Sequence, residues 1–219
     1  MKPSNLFDLS EIPARLLQLL EVEHVWEVLS RLDEFGTEIE GSLEGNVHPT
    51  AVLEGEVYVA PGASVGPHAY IQGPAWLEPG AHVGHGAFIR GPVVLLAGAK
   101  VGHASEVKRS LFLPEARAPH FNYVGDSIIG RDANLGAGVK VANFKAFGST
   151  ISMNGHSTGL RKLGAAVGDH VSIGCNAVLS PGTTIGPRTV VYNGALVRGD
   201  VPAASVVKAR LPQEVAELR

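Results

Sequence analysis

The sequence predicts an all-β protein whose chain winds as a parallel β-helix of hexapeptide repeats. Every sixth residue from 47 to 107 is aliphatic. The residue two positions before each aliphatic residue after the first is mostly small. This period fits neither a 3.6-residue helix nor an alternating strand, and three such repeats make one coil. The aliphatic positions are Val47, Leu53, Val59, Val65, Ile71, Leu77, Val83, Ile89, Leu95, Val101 and Val107.

The composition agrees with a turn-rich solenoid and excludes several other classes of protein. The chain has 27 glycines, 14 prolines, 45% hydrophobic residues and 6% aromatic residues, which is not the composition of a disordered chain. Residues 1–45 carry three Lys/Arg and ten Asp/Glu, so the other 174 residues carry a net charge of +4 within a total of −3. That excess is weak evidence for anionic ligands and is too small for a nucleic-acid-binding protein.

The sequence contains neither an apolar run of membrane-spanning length nor a charged-then-apolar leader, so we expect no membrane partner. Cys175 is the single cysteine. One cysteine excludes an internal disulfide framework and indicates a reducing, cytoplasmic location.

Several segments depart from the repeats. Residues 1–45 carry no repeat, and apolar residues at helical spacing predict two short helices there, which we expect to cap the open end of the first coil. The β-helix is predicted over 46–201, with excursions at 114–122, where the phase shifts, and at 142–163. The second excursion is too long for a turn and predicts a loop or small hairpin. Residues 202–219 are expected to form a tail that ends in a short helix.

The 18-residue coil predicts which side chains are neighbours, because residues 18 apart lie one strand spacing apart, about 4.8 Å. Arg90 and Lys108 have this separation. Two stacked cations repel each other unless an anion lies between them or a carboxylate such as Glu106 neutralises them. The pair is therefore a candidate phosphate clamp. An equal alternative is that the side chains of Arg90 and Lys108 point away from each other into solvent.

His120 lies in the first interruption, beside an aromatic residue and an amide, and is a candidate general base. From the local sequence alone, a solvated loop histidine is the more common outcome. His85 and His103 are 18 apart, but no two of the nine histidines are five apart. Zinc hydratases of the γ-carbonic anhydrase kind need that spacing, so we expect no metal. Cys175 has no flanking histidine or basic residue that would activate its thiol, and it is interpreted as a small turn residue.

Four segments carry a resemblance to a known family. They are HFNYVGD (120–126), IGRDANLGAG (129–138), VANF (141–144) and RKLGAAVGD (161–169). Together they resemble the acetyltransferase domain of the bifunctional glucosamine-1-phosphate acetyltransferase / N-acetylglucosamine-1-phosphate uridylyltransferase family, closest to the archaeal sugar-1-phosphate nucleotidylyltransferase/acetyltransferases. The resemblance covers roughly residues 60–210 and implies a left-handed coil and a homotrimer. The nucleotidyltransferase half opens with a Gly-rich loop, whereas the first glycine here is Gly36, so we expect nucleotidyl transfer to be missing.

The resemblance also implies roles for individual residues. His120 falls on the family's general base. The residues that fall on its sugar-phosphate contacts are Arg90, Lys108, Tyr123, Asn134 and Lys162. The residues that fall on its acetyl-CoA contacts are Ala137, Asn143, Phe144, Cys175, Asn193 and Arg210.

Three of the coenzyme positions differ from the family pattern. Phe144 replaces a tyrosine, Cys175 replaces a serine, and Asn193 replaces a small residue in the pantetheine groove. These differences leave open whether the coenzyme site still functions.

The resemblance implies an acetyl-CoA-dependent N-acetyltransferase that acts on a small-molecule hexosamine 1-phosphate, either glucosamine or galactosamine 1-phosphate, in sugar-nucleotide synthesis. Acetyl-CoA is the expected co-substrate. Two alternatives stay open: a non-catalytic scaffold that binds a sugar nucleotide, and a hexapeptide acyltransferase with another acceptor. Retention of His120 favours an enzyme over a scaffold, and the Arg90/Lys108 pair favours a phosphorylated acceptor.

Overall fold

The computed structural model describes residues 1–209, in which a helical segment precedes a long parallel β-helix. The predicted fold class is confirmed, because parallel strands stack coil upon coil and each regular coil supplies three strands. We call the three sides of each coil the first, second and third face, in the order in which the chain passes through them.

The first face is a nine-stranded sheet. Its strands are Asn46–Val47, Ser64–Val65, His82–Val83, Lys100–His103, Arg117–His120, Asn134–Leu135, Ser172–Ile173, Val190–Val191 and Val206–Val207.

The second and third faces form one continuous sheet, because two long strands, Phe88–Leu95 and Glu106–Phe112, run around the corner between them. Its other strands are Ser42–Leu43, Val52–Glu54, Val57–Val59, Tyr70–Gln72, Ala75–Leu77, Tyr123–Gly125, Ile128–Ile129, Lys140–Val141, Ala165–Val167, Val178–Leu179, Thr183–Ile185, Leu196–Val197 and Asp200–Val201.

The repeat aliphatics form the interior of the coils. In the middle of the solenoid they are fully buried in one continuous cluster, as Ile71, Leu95 and Val101 illustrate. Burying one such side chain contributes about 1.5–3 kcal/mol. Because successive strand residues point to opposite sides, the residues that flank these aliphatics face outward and form columns along each face.

The expected excursion at 114–122 is wrong. These residues stay in the coil, since the strand Arg117–His120 pairs in parallel with Lys100–His103. The register joins residues 17 apart there, whereas earlier coils join residues 18 apart. The phase shift comes from the loss of one residue at a corner: Arg109 alone occupies the place of Gly91 and Pro92 in the coil before.

The shorter coil changes which side chain points inward. Val124 is fully buried and pairs with Val107, so it continues the aliphatic column. Tyr123, the residue before it, therefore faces outward and is half-buried.

The segment 142–163 leaves the coils and carries an antiparallel hairpin of the strands Ser152–Met153 and His156–Ser157. Lys140 pairs with Val178, 38 residues away, so the excursion adds 20 residues to an 18-residue coil. Ile151, Met153 and Leu163 are buried in a second apolar cluster shared with the N-terminal segment. The excursion is therefore packed against the body of the protein.

The N-terminal segment contains two α-helices within residues 1–209, α1 (Ala14–Leu17) and α2 (Val28–Gly36), and two 3-10 turns, Pro3–Asn5 and Val25–Glu27. The expectation that it caps the open end of the first coil is wrong. Its apolar residues pack along the third face, on outward-pointing side chains that include Trp76, Val94, Leu111 and Ile128. Because these side chains are apolar, that face needs a cover.

The β-helix also extends further than expected. Val206–Val207 pairs with Val190–Val191, so residues 202–207 complete a coil instead of starting the tail. Arg210 and the predicted C-terminal helix lie outside the described residues. Within residues 1–209, no helix has the length and apolar character needed to cross a membrane.

We expect the substitution Leu29→Ala in α2 to lower the free energy of unfolding by about 2–5 kcal/mol, because it opens a cavity in the apolar cover of the third face. Leu29 is fully buried there. Leu43→Ala is the matched control, since Leu43 is 58% exposed. Denaturant unfolding of both variants measures the difference, and equal small losses would show that the segment does not stabilise the β-helix.

Candidate functional site

A cavity of about 400 Å³ gathers six of the candidate site residues. Its lining consists of Arg90, Lys108, Tyr123, Asn143, Phe144 and Lys162. Arg90 and Lys108 are register partners on adjacent coils, at the end of the second face. Phe144 and Lys162 form an antiparallel bridge at the base of the excursion, which brings both residues to the same edge.

Carboxylates neutralise the two stacked cations. Glu106 accepts a hydrogen bond from Nη1 of Arg90 at 2.8 Å. The Nζ atom of Lys108 lies 3.7 Å from Oδ2 of Asp126. These ion pairs offset the electrostatic repulsion between Arg90 and Lys108. An incoming anion must therefore compete with both carboxylates.

Asp126 contacts two of the residues that line the cavity, Lys108 and Asn143. Its side chain is only 1% exposed, so its charge needs close partners. Nη1 of Arg109 donates to Oδ1 at 3.2 Å, while the Nδ2 atom of Asn143 donates to Oδ2. The carboxylate thus fixes Asn143 beside the two cations.

Tyr123 completes this arrangement. Its hydroxyl donates to Oδ1 of Asn143 over a long distance of 3.5 Å. Burial raises the pKa of the Tyr123 phenol, and the nearby carboxylates of Glu106 and Asp126 raise it further. The phenol therefore keeps its proton, and can donate a hydrogen bond, at neutral pH.

A second group of candidate residues forms a ridge at the corner between the first and second faces. Backbone hydrogen bonds join its successive coils: Gly138 N donates to His120 O, Asn176 N to Ala137 O, and Gly194 N to Cys175 O, each at 2.9 Å. Oδ1 of Asn193 accepts from the backbone N–H of Cys175 at 2.9 Å. The ridge therefore consists of His120, Ala137, Cys175 and Asn193, stacked in that order.

His120 is exposed on this ridge, and its backbone is held in place. Its N–H donates to Oδ1 of Asn122 at 3.0 Å. Asn122 is 3% exposed and donates through Nδ2 to the carbonyl of Gly136 at 2.7 Å. Asn122 thus locks the turn that carries His120.

One chain does not bring the candidate residues into a single site. The cavity residues Arg90 and Lys108 lie at the far end of the second face, whereas His120 lies at the corner where that face begins. Asn134 lies on the first face, in register with Arg117 and Ser172, and does not line the cavity.

Sequence reasoning missed Asp126, Arg109 and Asn122. Asp126 and Asn122 belong to the HFNYVGD motif but received no role, although an acid directly after Gly125 in that motif was a usable signal. Arg109 follows Lys108 directly, and nothing in the sequence marks it as a corner residue.

The described residues contain no cluster of three or more histidine, cysteine, aspartate or glutamate side chains in an arrangement that could hold a metal ion. The Nδ1 atoms of His85 and His103 lie 2.9 Å apart, at the distance of a hydrogen bond between two rings. Their rings stack with centroids 4.9 Å apart, as expected for residues one coil apart.

Comparisons with known proteins agree with this architecture. Residues 71–158 match the family model of the GMPPB C-terminal domain, and residues 164–199 match that of the bacterial transferase hexapeptide with six repeats. The bifunctional protein GlmU of Methanococcus maripaludis (strain C7) is 44% identical over 190 residues, which are 85% of this chain and 46% of that protein.

A bifunctional sugar-1-phosphate nucleotidylyltransferase/acetyltransferase of Sulfurisphaera tokodaii is 42% identical over 100 residues, which are 44% of this chain and 25% of that protein. The chain thus spans about half, or less, of the length of these curated relatives. The acetyltransferase domain of PglB from Neisseria gonorrhoeae, solved with acetyl coenzyme A, is 19% identical with a TM-score of 0.31, over 73% of this chain and 52% of that one. The relatives and family models confirm the resemblance to the bifunctional proteins over the repeats.

We expect Glu106→Gln to raise the affinity of the cavity for inorganic phosphate, because an anion then no longer competes with a carboxylate for Arg90. Arg90 and Glu106 are 40% and 33% exposed, and a half-exposed pair is worth roughly 0.2–1 kcal/mol, so the gain is at most about fivefold. Isothermal titration with phosphate measures it. Glu115→Gln, a change of another exposed carboxylate, is the control. A loss of affinity in Glu106→Gln would mean that the carboxylate orders Arg90 for the anion.

Proposed function

We propose that this chain is an acetyl-CoA-dependent N-acetyltransferase whose acceptor is a hexosamine 1-phosphate. The comparisons support the coarser statement of a sugar acyltransferase. The observation that carries the finer proposal is the cavity in which Arg90, Lys108 and Lys162 meet the hydrogen-bonding groups of Tyr123 and Asn143. Three cations around a polar cavity suit a phosphorylated sugar better than a neutral one.

On the acceptor side, Arg90, Lys108 and Lys162 bind the phosphate, and Tyr123 orients the sugar ring. Asn134 lies on the first face with His120 and joins the sugar, as His120 does, from a neighbouring copy of the chain. Arg90 supplies a planar fork of donors and the lysines supply point charges, which together suit a dianion. Lys162 is exposed, and no ion pair involving it is found within residues 1–209. It is therefore available to the ligand without displacing a carboxylate.

On the donor side, acetyl-CoA lies along the ridge. Ala137 and Cys175 are small side chains at the accessible corner, and small residues leave room for the pantetheine arm. Asn193 holds its oxygen on the backbone of Cys175, so its larger side chain lies against the ridge and leaves space beside it. Asn143, Phe144 and Arg210 are the further proposed contacts.

The reaction needs a neutral amine. His120 accepts a proton from the ammonium group of the amino sugar, and the amine then attacks the thioester carbon. A nitrogen–carbon bond forms and the carbon–sulfur bond breaks. The nitrogen loses a second proton, the sulfur gains one, and coenzyme A leaves as the free thiol. The amide of Asn143 or a backbone N–H stabilises the oxyanion of the tetrahedral intermediate.

The complete site is proposed to form between copies of this chain, in a homotrimer. His120 and the cavity lie at opposite edges of the second face. A groove between adjacent β-helices brings the corner of one chain to the cavity of the next. The third face is covered by the N-terminal segment, so the first and second faces are the ones left for contacts between copies.

Free thiol release tests the proposal directly. Acetyl-CoA is incubated with glucosamine 1-phosphate, galactosamine 1-phosphate or unphosphorylated glucosamine. We expect thiol release with at least one phosphorylated amino sugar and much less with glucosamine. Binding of the sugar phosphates without thiol release would instead favour the non-catalytic scaffold.

We expect His120→Ala to lower kcat by roughly 10²–10⁴-fold, the range typical of a lost general base, with little change in acetyl-CoA affinity. His48→Ala is the control, because His48 is an exposed histidine whose side chain, in the part of the chain that the structure describes, bonds only to Thr50 in its own turn. Thiol release under saturating acetyl-CoA gives the rates. Activity of His120→Ala within about threefold of the control would remove His120 from the mechanism.

A further inference from the structure

An ion-pair network connects the N-terminal helix α2 to the cavity. Asp33 of α2 accepts two hydrogen bonds from Arg109, one from Nε at 2.9 Å and one from Nη2 at 2.5 Å. The remaining nitrogen of the same guanidinium, Nη1, donates to Asp126 at 3.2 Å. The hydrogen bond to Asp33 is the largest cause of the raised pKa of Arg109. The acidic segment thus reaches the site through one arginine.

Arg109 has a left-handed backbone conformation, which eleven other non-glycine residues among residues 1–209 also adopt. It lies at the corner where the coil loses a residue, and its φ is 43°, in the left-handed region. Asp126 occupies the next corner below it, with φ 48°. A long side chain costs free energy in this region and persists there only when its surroundings hold it. Here the parallel pairing of the coils on both sides of the corner fixes the backbone, and the contacts with Asp33 and Asp126 fix the side chain.

The network divides the two oxygens of Asp126 between different partners. Oδ1 accepts from Arg109, whereas Oδ2 accepts from Asn143 and faces the Nζ atom of Lys108. Since Asp33 occupies two of the three guanidinium nitrogens, Arg109 has one left for Asp126. Oδ2 therefore remains available to Asn143 and Lys108.

We propose that Asp33 and Arg109 are positioning residues that set how strongly Asp126 holds Lys108, and hence how much positive charge the cavity offers to the acceptor phosphate. This inference rests on the proposed function for its consequence in catalysis. The sharing of Asp126 between Arg109 and Lys108 can be tested whether or not the protein catalyses a reaction.

The proposal predicts opposite effects for the two residues. In Arg109→Gln, Asp126 loses its nearest cation, so Lys108 becomes its main partner and is drawn away from the ligand. In Asp33→Ala, Arg109 gains two free nitrogens for Asp126, so Lys108 is released. A general loosening of the fold would instead change Lys108 in the same direction in both variants.

The reactivity of Lys108 toward acetic anhydride, followed by peptide mass spectrometry, measures this sharing without any enzymatic reaction. An amine held against a carboxylate is less free to attack the anhydride than an amine that only water contacts. Labelling of Lys108, relative to the exposed Lys100 in the same protein, is expected to fall roughly threefold to tenfold in Arg109→Gln and to rise in Asp33→Ala. Glu34→Ala, one residue along α2, is the matched control, because within residues 1–209 the Glu34 side chain pairs only with Arg31.

The same variants are then assayed with glucosamine 1-phosphate. Arg109→Gln is expected to raise KM for this acceptor by roughly tenfold or more with a smaller change in kcat, whereas Asp33→Ala is expected not to raise KM. Unchanged labelling of Lys108 in Arg109→Gln, or a fall in both variants, would overturn the proposal. If the wild-type protein releases no thiol, the proposed function fails, and the labelling result still decides whether the network exists.

Discussion

Parallel hydrogen bonding between successive coils is the interaction on which the rest of this structure depends, because it determines which residue lies above which. It places Lys108 beside Arg90 and places Tyr123 beside Lys140. When one coil is a residue shorter, the same pairing shifts every later residue by one position relative to the 18-residue repeat, so different side chains point inward. The shortening at Arg109 turns Val124 inward and Tyr123 outward, so the aromatic residue reaches the cavity.

The same shortening creates the charged corner. Where earlier coils turn with Gly-Pro, two coils turn with Arg109 and Asp126, one above the other. Because the buried carboxylate of Asp126 needs several partners, it gathers Arg109, Asn143 and Lys108 around itself. The acidic N-terminal segment then acts on this corner through Asp33 while it covers the apolar third face. Its acidic residue Asp33 therefore binds the corner beside the cavity, and its apolar residues cover the adjoining third face.

The repeat predicted the fold and the Arg90/Lys108 stack, because residues 18 apart lie next to each other on adjacent coils. The family resemblance pointed to Tyr123, Asn143, Phe144 and Lys162, which the structure gathers in one cavity. The interruption at 114–122 was misjudged, since a prediction from phase alone cannot separate a departing loop from a coil shortened by one residue. The position of the N-terminal helices was also misjudged, because amphipathic spacing shows that a face is apolar but not which surface it covers. Arg109 and Asp33 are 76 residues apart, and no local pattern connects them.

The central claim is that the cavity of one chain works with His120 of another. Co-expression of Lys108→Ala chains with His120→Ala chains, followed by purification of mixed oligomers carrying two different tags, tests it most directly. If each site draws His120 from one chain and Lys108 from the next, some sites in the mixed oligomer contain both native residues. Thiol release should then clearly exceed the sum of the two parent variants. If both residues of a site come from the same chain, every site carries one defect, and mixed oligomers no more active than the parents would contradict the account.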